Sequence, residues 1–219
     1  MERFVPRFQG SPWPDSGARV LHVYAVPDLT AHPALARLVT TCHTAMAPFP
    51  ITPMDTTLHC TVEMVADTTS DTITPAERQA LADALHRHLA DTTPIQATVG
   101  SPIANKAGAF LDVHPDGDLT ALRTRVRAAV SEVRGPGALL HDGGRPHISL
   151  GYAYDAASSD ALQTELRRIS PSHAPVTFDS VELLDVLWCR QPRPGGRTAW
   201  ELSWEKVTSI PLRGTGPAR

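Results

Sequence analysis

The sequence has few cysteines, no long apolar run and no excess of basic residues, and each absence excludes a class of protein. Its three cysteines, Cys42, Cys60 and Cys189, are widely spaced and form no Cys-x-x-Cys pair, which argues against a disulfide-rich secreted domain and a structural zinc site. No apolar run approaches the roughly 18 residues that a membrane-spanning helix needs. Residues 1–17 contain no apolar segment typical of a signal peptide. We therefore expect a cytoplasmic protein with no membrane partner.

The charge balance limits the partners of the chain. Its 219 residues include 20 Lys and Arg against 23 Asp and Glu, which gives a net charge of −3. A protein that binds long duplex nucleic acid depends on clustered basic residues, so we expect no such partner. A small anion or a short RNA end can still bind in a local pocket. The length allows a substantial core. We expect the protein to be a monomer.

Periodic apolar residues predict alternating strands and helices. The predicted strands cover residues 19–26, 56–65, 94–99, 109–116, 144–152, 175–188 and 198–207. The predicted helices cover residues 35–46, 74–89, 119–133 and 162–169. Outside these elements we expect an irregular N-terminal arm, residues 1–17, and a mobile C-terminal tail, residues 208–219.

The order strand–helix–strand–helix–strand occurs twice, and the two copies align at one offset. Pro27 matches Pro115, since 115 − 27 = 88, and His59 matches His147, since 147 − 59 = 88. Two copies are too few for a solenoid. We therefore expect an α+β fold with two pseudo-symmetric lobes, each an antiparallel-type sheet flanked by helices, and a central cleft between them. Both lobes belong to a single domain, residues 18–207.

Each copy contains a His-x-Ser/Thr tripeptide at the same place in its second strand. The first has His59 and Thr61, and the second has His147 and Ser149. Because side chains alternate along a strand, each histidine and its hydroxyl residue share the face opposite the apolar residues. Strict alternation places Glu63 on that face too. The tripeptide alone is weak evidence, and its matched position in the repeat is what indicates a site.

Two histidines on one cleft suit acid–base chemistry on a phosphate. The ordinary histidine pKa of about 6.5 allows one ring to accept a proton while the other donates one near neutral pH. The hydroxyls of Thr61 and Ser149 are suited to hydrogen bonds with the non-bridging oxygens of that phosphate. This chemistry needs no metal, cofactor or covalent intermediate, and we predict none.

The segments LHCTV (58–62) and PHISL (146–150) resemble the paired His-x-Ser/Thr-Φ motifs of the 2H phosphoesterase superfamily, where Φ is apolar. That superfamily includes the 2′-5′ RNA ligase-like proteins and cyclic phosphodiesterases, and the resemblance extends over residues 18–207. It implies that His59 and His147 are the catalytic pair and that Thr61 and Ser149 bind phosphate. The implied reaction is hydrolysis of a 2′,3′-cyclic phosphate or related phosphodiester, or the reverse 2′-5′ ligation.

The residues after the motifs differ from common forms of the family. Glu63 follows the first motif, where RNA ligase-like members often have a basic residue, and Gly151 and Tyr152 follow the second, where many have a small residue and then Arg. The loss of both charges weakens the case for long RNA. Tyr152 is either a stacking partner for a base or sugar or a packed strand-end aromatic. His22, on the first predicted strand, either lines the cleft or is structural.

Three functions stay open at this point. The leading hypothesis is a metal-independent phosphodiesterase that acts on a small cyclic phosphate or a short RNA end. The main alternative is a nucleotide- or RNA-binding module that keeps the fold and the cleft without turnover. A metal-dependent hydrolase ranks third, because no third ligand with suitable spacing accompanies His59 and His147.

Overall fold

The structure is a computed structural model that describes residues 1–14, 17–140 and 143–214. These residues form four α-helices and eleven β-strands. The strands are β1 (Arg7–Phe8), β2 (Ser11–Pro12), β3 (Arg19–Ala25), β4 (Ile51–Pro53), β5 (Cys60–Met64), β6 (Ile95–Ala104), β7 (Gly108–His114), β8 (His147–Ala153), β9 (His173–Phe178), β10 (Ser180–Arg193) and β11 (Arg197–Pro211). The helices are α1 (Pro33–Met46), α2 (Pro75–Leu89), α3 (Gly117–Arg134) and α4 (Ser159–Leu166).

Nine strands form one antiparallel sheet in the order β11-β10-β3-β5-β8-β7-β6-β9, with β4 paired to β8 beside this path. The predicted α+β fold with antiparallel pairing is thus confirmed. The third strand of each repeat pairs with the first strand of the other: β6 pairs with β7, and β10 pairs with β3. The two halves meet where β5 pairs with β8 and form one continuous sheet. The division into two separate lobes stays a prediction.

The helices follow the apolar periodicity of the sequence. Helix α2 begins with a capping box, in which the Thr74 side chain accepts from the Glu77 backbone N–H and Glu77 accepts from that of Thr74. Its apolar stripe, Leu81, Leu85 and Leu89, is fully buried. Helices α2 and α3 pack against each other, as do α1 and α4. The helices therefore cover the apolar side of the sheet.

Several boundaries differ from the predicted ones. The segment predicted as a strand over 56–65 is a strand only from Cys60, so His59 directly precedes β5. The region predicted as one strand over 175–188 is two strands separated at Asp179. Residues 208–211, which we placed in a mobile tail, continue β11, because Ile210 is buried and pairs with Val181. Residues 215–219 of that tail lie outside the described residues.

The N-terminal arm is more ordered than expected. Residues 1–14, called the arm below, contain the β1–β2 hairpin and are hydrogen-bonded to the sheet. The backbone N–H of Phe4 donates to the carbonyl of Ala153 at 2.8 Å, and the side chain of Gln9 donates to the carbonyl of Ala66 at 2.9 Å. The arm therefore runs from the end of β8 to the end of β5.

Candidate active site

The two His-x-Ser/Thr motifs meet at the centre of the sheet. Cys60 of β5 pairs with Ile148 of β8, and both side chains are buried in the core. The residues on either side of this pair point to the opposite face. They are the four motif residues, His59, Thr61, His147 and Ser149. In antiparallel register each histidine lies across from the hydroxyl residue of the other motif, so the structure brings together the four residues that the sequence singles out.

Both histidines are oriented in the same way by the backbone. Nδ1 of His59 donates to the carbonyl of Thr57 at 2.7 Å, and Nδ1 of His147 donates to the carbonyl of Arg145 at 2.8 Å. A carbonyl oxygen only accepts hydrogen bonds, so Nδ1 holds the proton in each neutral ring. Nε2 is then the nitrogen of each neutral ring that carries the lone pair.

The two rings differ in their surroundings. His59 is 5% exposed and stacks on the ring of Tyr24, with centroids 3.9 Å apart, while Trp204 approaches edge-on at 5.8 Å. The pKa of His59 is lowered from 6.5 to about 4, mainly because the ring is buried; the hydrogen bond to Thr57 acts in the opposite direction, and the nearby His147 contributes to the lowering. At neutral pH His59 is therefore uncharged, with a free lone pair on Nε2.

His147 is half-buried and lies next to a carboxylate strand partner. Phe110 approaches its ring edge-on at 5.4 Å, and Asp112 of β7 is directly opposite His147 in the β7–β8 register. Directly opposite residues in an antiparallel pair point to the same face. The face of His147 therefore includes a carboxylate side chain, in contrast to the apolar surroundings of His59.

A tyrosine lies beside each hydroxyl residue. The Tyr152 hydroxyl donates to Oγ of Ser149 at 2.9 Å, and Tyr24 is directly opposite Thr61 in the β3–β5 register. Burial raises the pKa of both tyrosines, and the neighbouring Tyr152 raises that of Tyr24 further. Both phenols therefore keep their protons, and Ser149, having accepted from Tyr152, keeps its own hydrogen for another acceptor.

A cavity of about 490 Å³ opens beside His59 and Thr61. Its lining comprises these two residues and Phe4, Val5, Pro6, Arg7, Trp13, His22, Tyr24, Met64, Tyr152 and Trp188. The two further candidates, His22 and Tyr152, thus both lie in its wall. His22 is buried, with Nδ1 donating to the carbonyl of Val20 at 3.0 Å. His147 and Ser149 are outside this lining, and Ser149 is linked to it through Tyr152.

The family is decided by a match over more than half of the chain. A family model described as the 2′-5′ RNA ligase superfamily matches residues 70–187, or 187 − 70 + 1 = 118 of 219 residues. The chain belongs to the 2′-5′ RNA ligase superfamily. This confirms the resemblance of the two motifs to the 2H phosphoesterases. The matched range contains His147 and Ser149 and begins after His59 and Thr61.

Solved structures share the fold of this superfamily member at low sequence identity. TT0787 of Thermus thermophilus is 17% identical, with a TM-score of 0.62 over 90% of this chain and 100% of that one. E. coli LigT in its apo form is 14% identical, with a TM-score of 0.57 over 90% and 99%. E. coli LigT complexed with 3′-AMP is also 14% identical, with a TM-score of 0.56 over 89% and 98%. No curated protein matches the sequence.

Glu63, which differs from the common motif of the superfamily, does not share the face of His59 and Thr61 as strict alternation predicts. A bulge interrupts the β3–β5 register: Tyr24 pairs with Thr61, but Val23 pairs with Glu63. The extra residue reverses the alternation, so Glu63 is fully buried and forms ion pairs with Arg123 and Arg127 of α3. The negative charge is thus directed away from the hydroxyls of Thr61 and Ser149.

The arginines at the turn between β10 and β11 contact other side chains of the protein. The guanidinium of Arg190 lies 4.9 Å from the ring centroid of Trp200. Arg193 forms an ion pair with Glu201, and Arg197 forms one with Asp155.

In the described part of the chain no group of three His, Cys, Asp or Glu side chains is arranged to hold a metal ion. Nor is any described helix long and apolar enough to cross a membrane.

Sequence reasoning missed Tyr24, Trp204 and the arm. Tyr24 lies two residues after His22 on β3, and its ring stacks on that of His59. Residues two apart on a strand point to the same face, so Tyr24 could have been predicted to line the cleft along with His22. No local pattern linked the arm or Trp204 to the motifs, because these contacts join distant parts of the sequence.

Proposed function

We propose that this protein is a metal-independent phosphodiesterase that hydrolyses 2′,3′-cyclic phosphates on nucleotides or short RNA ends. The observation behind the proposal is the arrangement of two histidines with the same Nδ1 hydrogen bond but different surroundings, on adjacent strands beside two hydroxyls. His59 is buried and uncharged, whereas His147 is half-exposed beside Asp112. Such a pair supplies one proton acceptor and one proton donor.

His59 is the general base in this proposal. Nε2 of His59 takes a proton from water as the water oxygen forms a bond to phosphorus. The low pKa of His59 in the free protein makes it a weak base. A bound phosphate raises that pKa, because a nearby negative charge stabilises the imidazolium. Substrate binding therefore brings the base closer to neutral pH, where proton transfer is efficient.

His147 is the general acid. Its Nε2 donates a proton to the 2′ or 3′ oxygen as the bond from that oxygen to phosphorus breaks, which opens the ring to a phosphomonoester. Thr61 and Ser149 donate hydrogen bonds to the non-bridging oxygens, and the hydrogen bond from Tyr152 directs the Ser149 hydrogen towards the phosphate. After the reaction, proton exchange with water returns both histidines to their starting states.

The superfamily and its structural neighbours support a nucleotide substrate. E. coli LigT has been crystallised with NADP+, ATP and 3′-AMP, all of them nucleotides. If the 5′-hydroxyl of a second RNA strand attacks the cyclic phosphate in place of water and the bond from phosphorus to the 3′ oxygen breaks, the product is a 2′-5′ linkage, so ligation is the second activity to assay. The free thiols of Cys42, Cys60 and Cys189 support a reducing compartment, and we propose that the protein acts in the cytoplasm as a monomer.

Alanine variants of the two histidines test this function. His59→Ala and His147→Ala should each lower kcat on a 2′,3′-cyclic nucleotide by about 10²–10⁴-fold, the usual effect of one positioned proton transfer. His86→Ala, which changes an exposed histidine of α2, is the matched control and should keep full activity. Full activity in both site variants would refute the proposal. Nucleotide binding by the wild type without turnover of any cyclic phosphate would instead favour a binding module.

A further inference from the structure

The arm forms one wall of the cavity beside His59. Its contribution to the lining is Phe4, Val5, Pro6, Arg7 and Trp13. The wall is fixed at both ends, because the backbone of Phe4 bonds Ala153 at 2.8 Å and Nε1 of Trp13 donates to the carbonyl of Ala18 at 3.2 Å. The cavity volume of about 490 Å³ is within the usual range of small-molecule sites.

The wall is rich in aromatic rings. Phe4 stacks on Tyr152 with centroids 3.9 Å apart, and Trp188 approaches both rings, at 5.3 Å from Phe4 and 5.4 Å from Tyr152. Trp13 lies beside His22 farther along the wall, at 6.2 Å. Clustered aromatic side chains next to a phosphate site suit a nucleobase, because every base stacks on aromatic rings.

Arg7 supplies positive charge at the rim of this cavity. It is exposed, and it is the one Lys or Arg among the lining residues that the structure describes. Nη1 of Arg7 donates to the carbonyl of Gly10 at 2.9 Å, which holds the guanidinium at the β1–β2 hairpin. Among the described residues no carboxylate forms an ion pair with it. A guanidinium without a carboxylate partner is well suited to bind a phosphate.

We propose that the arm, Tyr152 and Trp188 form a nucleoside subsite beside the reacting phosphate, in which Arg7 binds the 5′-phosphate of the bound nucleotide. The subsite rests on the proposed function, because it holds the base and sugar of the same substrate. It selects a nucleotide that has both a 5′-phosphate and a phosphate on its 2′ and 3′ oxygens, as the last residue does in an RNA strand that ends in a 2′,3′-cyclic phosphate. A cyclic phosphate without a base lacks most of these contacts.

Binding of three stable ligands to the full chain tests the subsite without any turnover. The ligands are glycerol 2-phosphate, adenosine 3′-phosphate and adenosine 3′,5′-bisphosphate, measured by isothermal titration calorimetry. We expect adenosine 3′-phosphate to bind about tenfold more tightly than glycerol 2-phosphate through base stacking. The bisphosphate should bind about tenfold more tightly again, which corresponds to about 1.4 kcal/mol.

Arg7→Gln and Arg3→Gln form a matched pair of variants. Arg3 is also an exposed arginine of the arm, but its guanidinium bonds Thr198 at 2.5 Å, and Arg3 does not line the cavity. Arg7→Gln should remove the preference for the bisphosphate, whereas Arg3→Gln should keep it. High salt should weaken the preference in the wild type, because the Arg7 contact is exposed.

The outcomes separate the subsite from the catalytic proposal. Equal affinity of the wild type for glycerol 2-phosphate and adenosine 3′-phosphate would refute the proposal that a nucleobase stacks on this wall. An unchanged bisphosphate preference in Arg7→Gln would overturn the role of Arg7, even if the protein hydrolyses cyclic phosphates. If the affinities are as expected but no cyclic phosphate is hydrolysed, the subsite is supported and only the proposed phosphodiesterase activity is refuted.

Discussion

Burial of His59 predicts an acid sensitivity of the fold that one substitution removes. The ring is 5% exposed and its pKa is lowered from 6.5 to about 4. Such a histidine takes up a proton more readily in the unfolded chain than in the folded protein. Its contribution to stability is therefore present above the unfolded pKa and is lost as the pH falls through the folded pKa.

The size of this loss follows from the two pKa values. Their difference is 6.5 − 4 = 2.5, and at about 1.36 kcal/mol per pKa unit the full loss is about 3.4 kcal/mol once the pH is below both values. Between pH 7 and pH 5 the proton binds mainly to the unfolded chain. The loss in the free energy of unfolding over that interval is about 2 kcal/mol.

Urea unfolding of the wild type and of His59→Gln at pH 7, 6 and 5 measures the effect. Glutamine stays uncharged, and all other groups titrate in both proteins, so the difference between the two pH dependences isolates His59. We expect the wild type to lose about 2 kcal/mol more than the variant. His86→Gln, at an exposed site, should follow the wild type. Parallel pH dependences of wild type and His59→Gln would refute the argument that burial lowers this pKa.

Four further predictions concern the site and the core. Tyr152→Phe removes the donor to Ser149 and should lower kcat/KM about fivefold, the value of one hydrogen bond of about 1 kcal/mol; unchanged kinetics would contradict the directing role. Glu63→Gln leaves two arginines facing a buried amide and should cost about 3 kcal/mol in urea unfolding, whereas a neutral result would show that the pairs add no stability. Leu150→Ala, at a fully buried position, should cost about 2–5 kcal/mol in the same assay. Dialysis against a chelator should leave hydrolysis unchanged, and a loss restored by a divalent ion would contradict a mechanism with two histidines alone.

Apolar periodicity predicted the helices and strands, and two short motifs at matched positions of the repeat predicted the family. The stripe of Leu81, Leu85 and Leu89 identified α2, and the offset of 88 residues related His59 to His147 before any strand pairing was known. The fold class followed from the order of strands and helices. The exchange of third strands between the repeats could not be predicted in this way, because no local residue preference specifies which strands become neighbours.

The rest of the site depends on long-range contacts and on one irregularity. The bulge at the first motif moves Glu63 to the helix side of the sheet, and the alternating sequence contains no Gly or Pro there to signal it. Tyr24 is opposite Thr61 in a strand pair, and Phe4 stacks on Tyr152, which is distant from it in the sequence. Such contacts result from the packing of the whole domain, which a sequence pattern of 10 or 20 residues does not encode.

The exchange of third strands also has a consequence for how the protein folds. Strand β3 pairs on one side with β10, where Tyr24 faces Glu182, a separation of 182 − 24 = 158 residues. Neither repeat therefore contains the partners that complete its own half of the sheet. A chain that leaves the ribosome cannot close the first half until β10 has been made, and contacts of such long range slow folding. Until then the edge of β3 is unpaired and open to other chains, so cutting the gene between the repeats should yield two aggregating fragments rather than two domains.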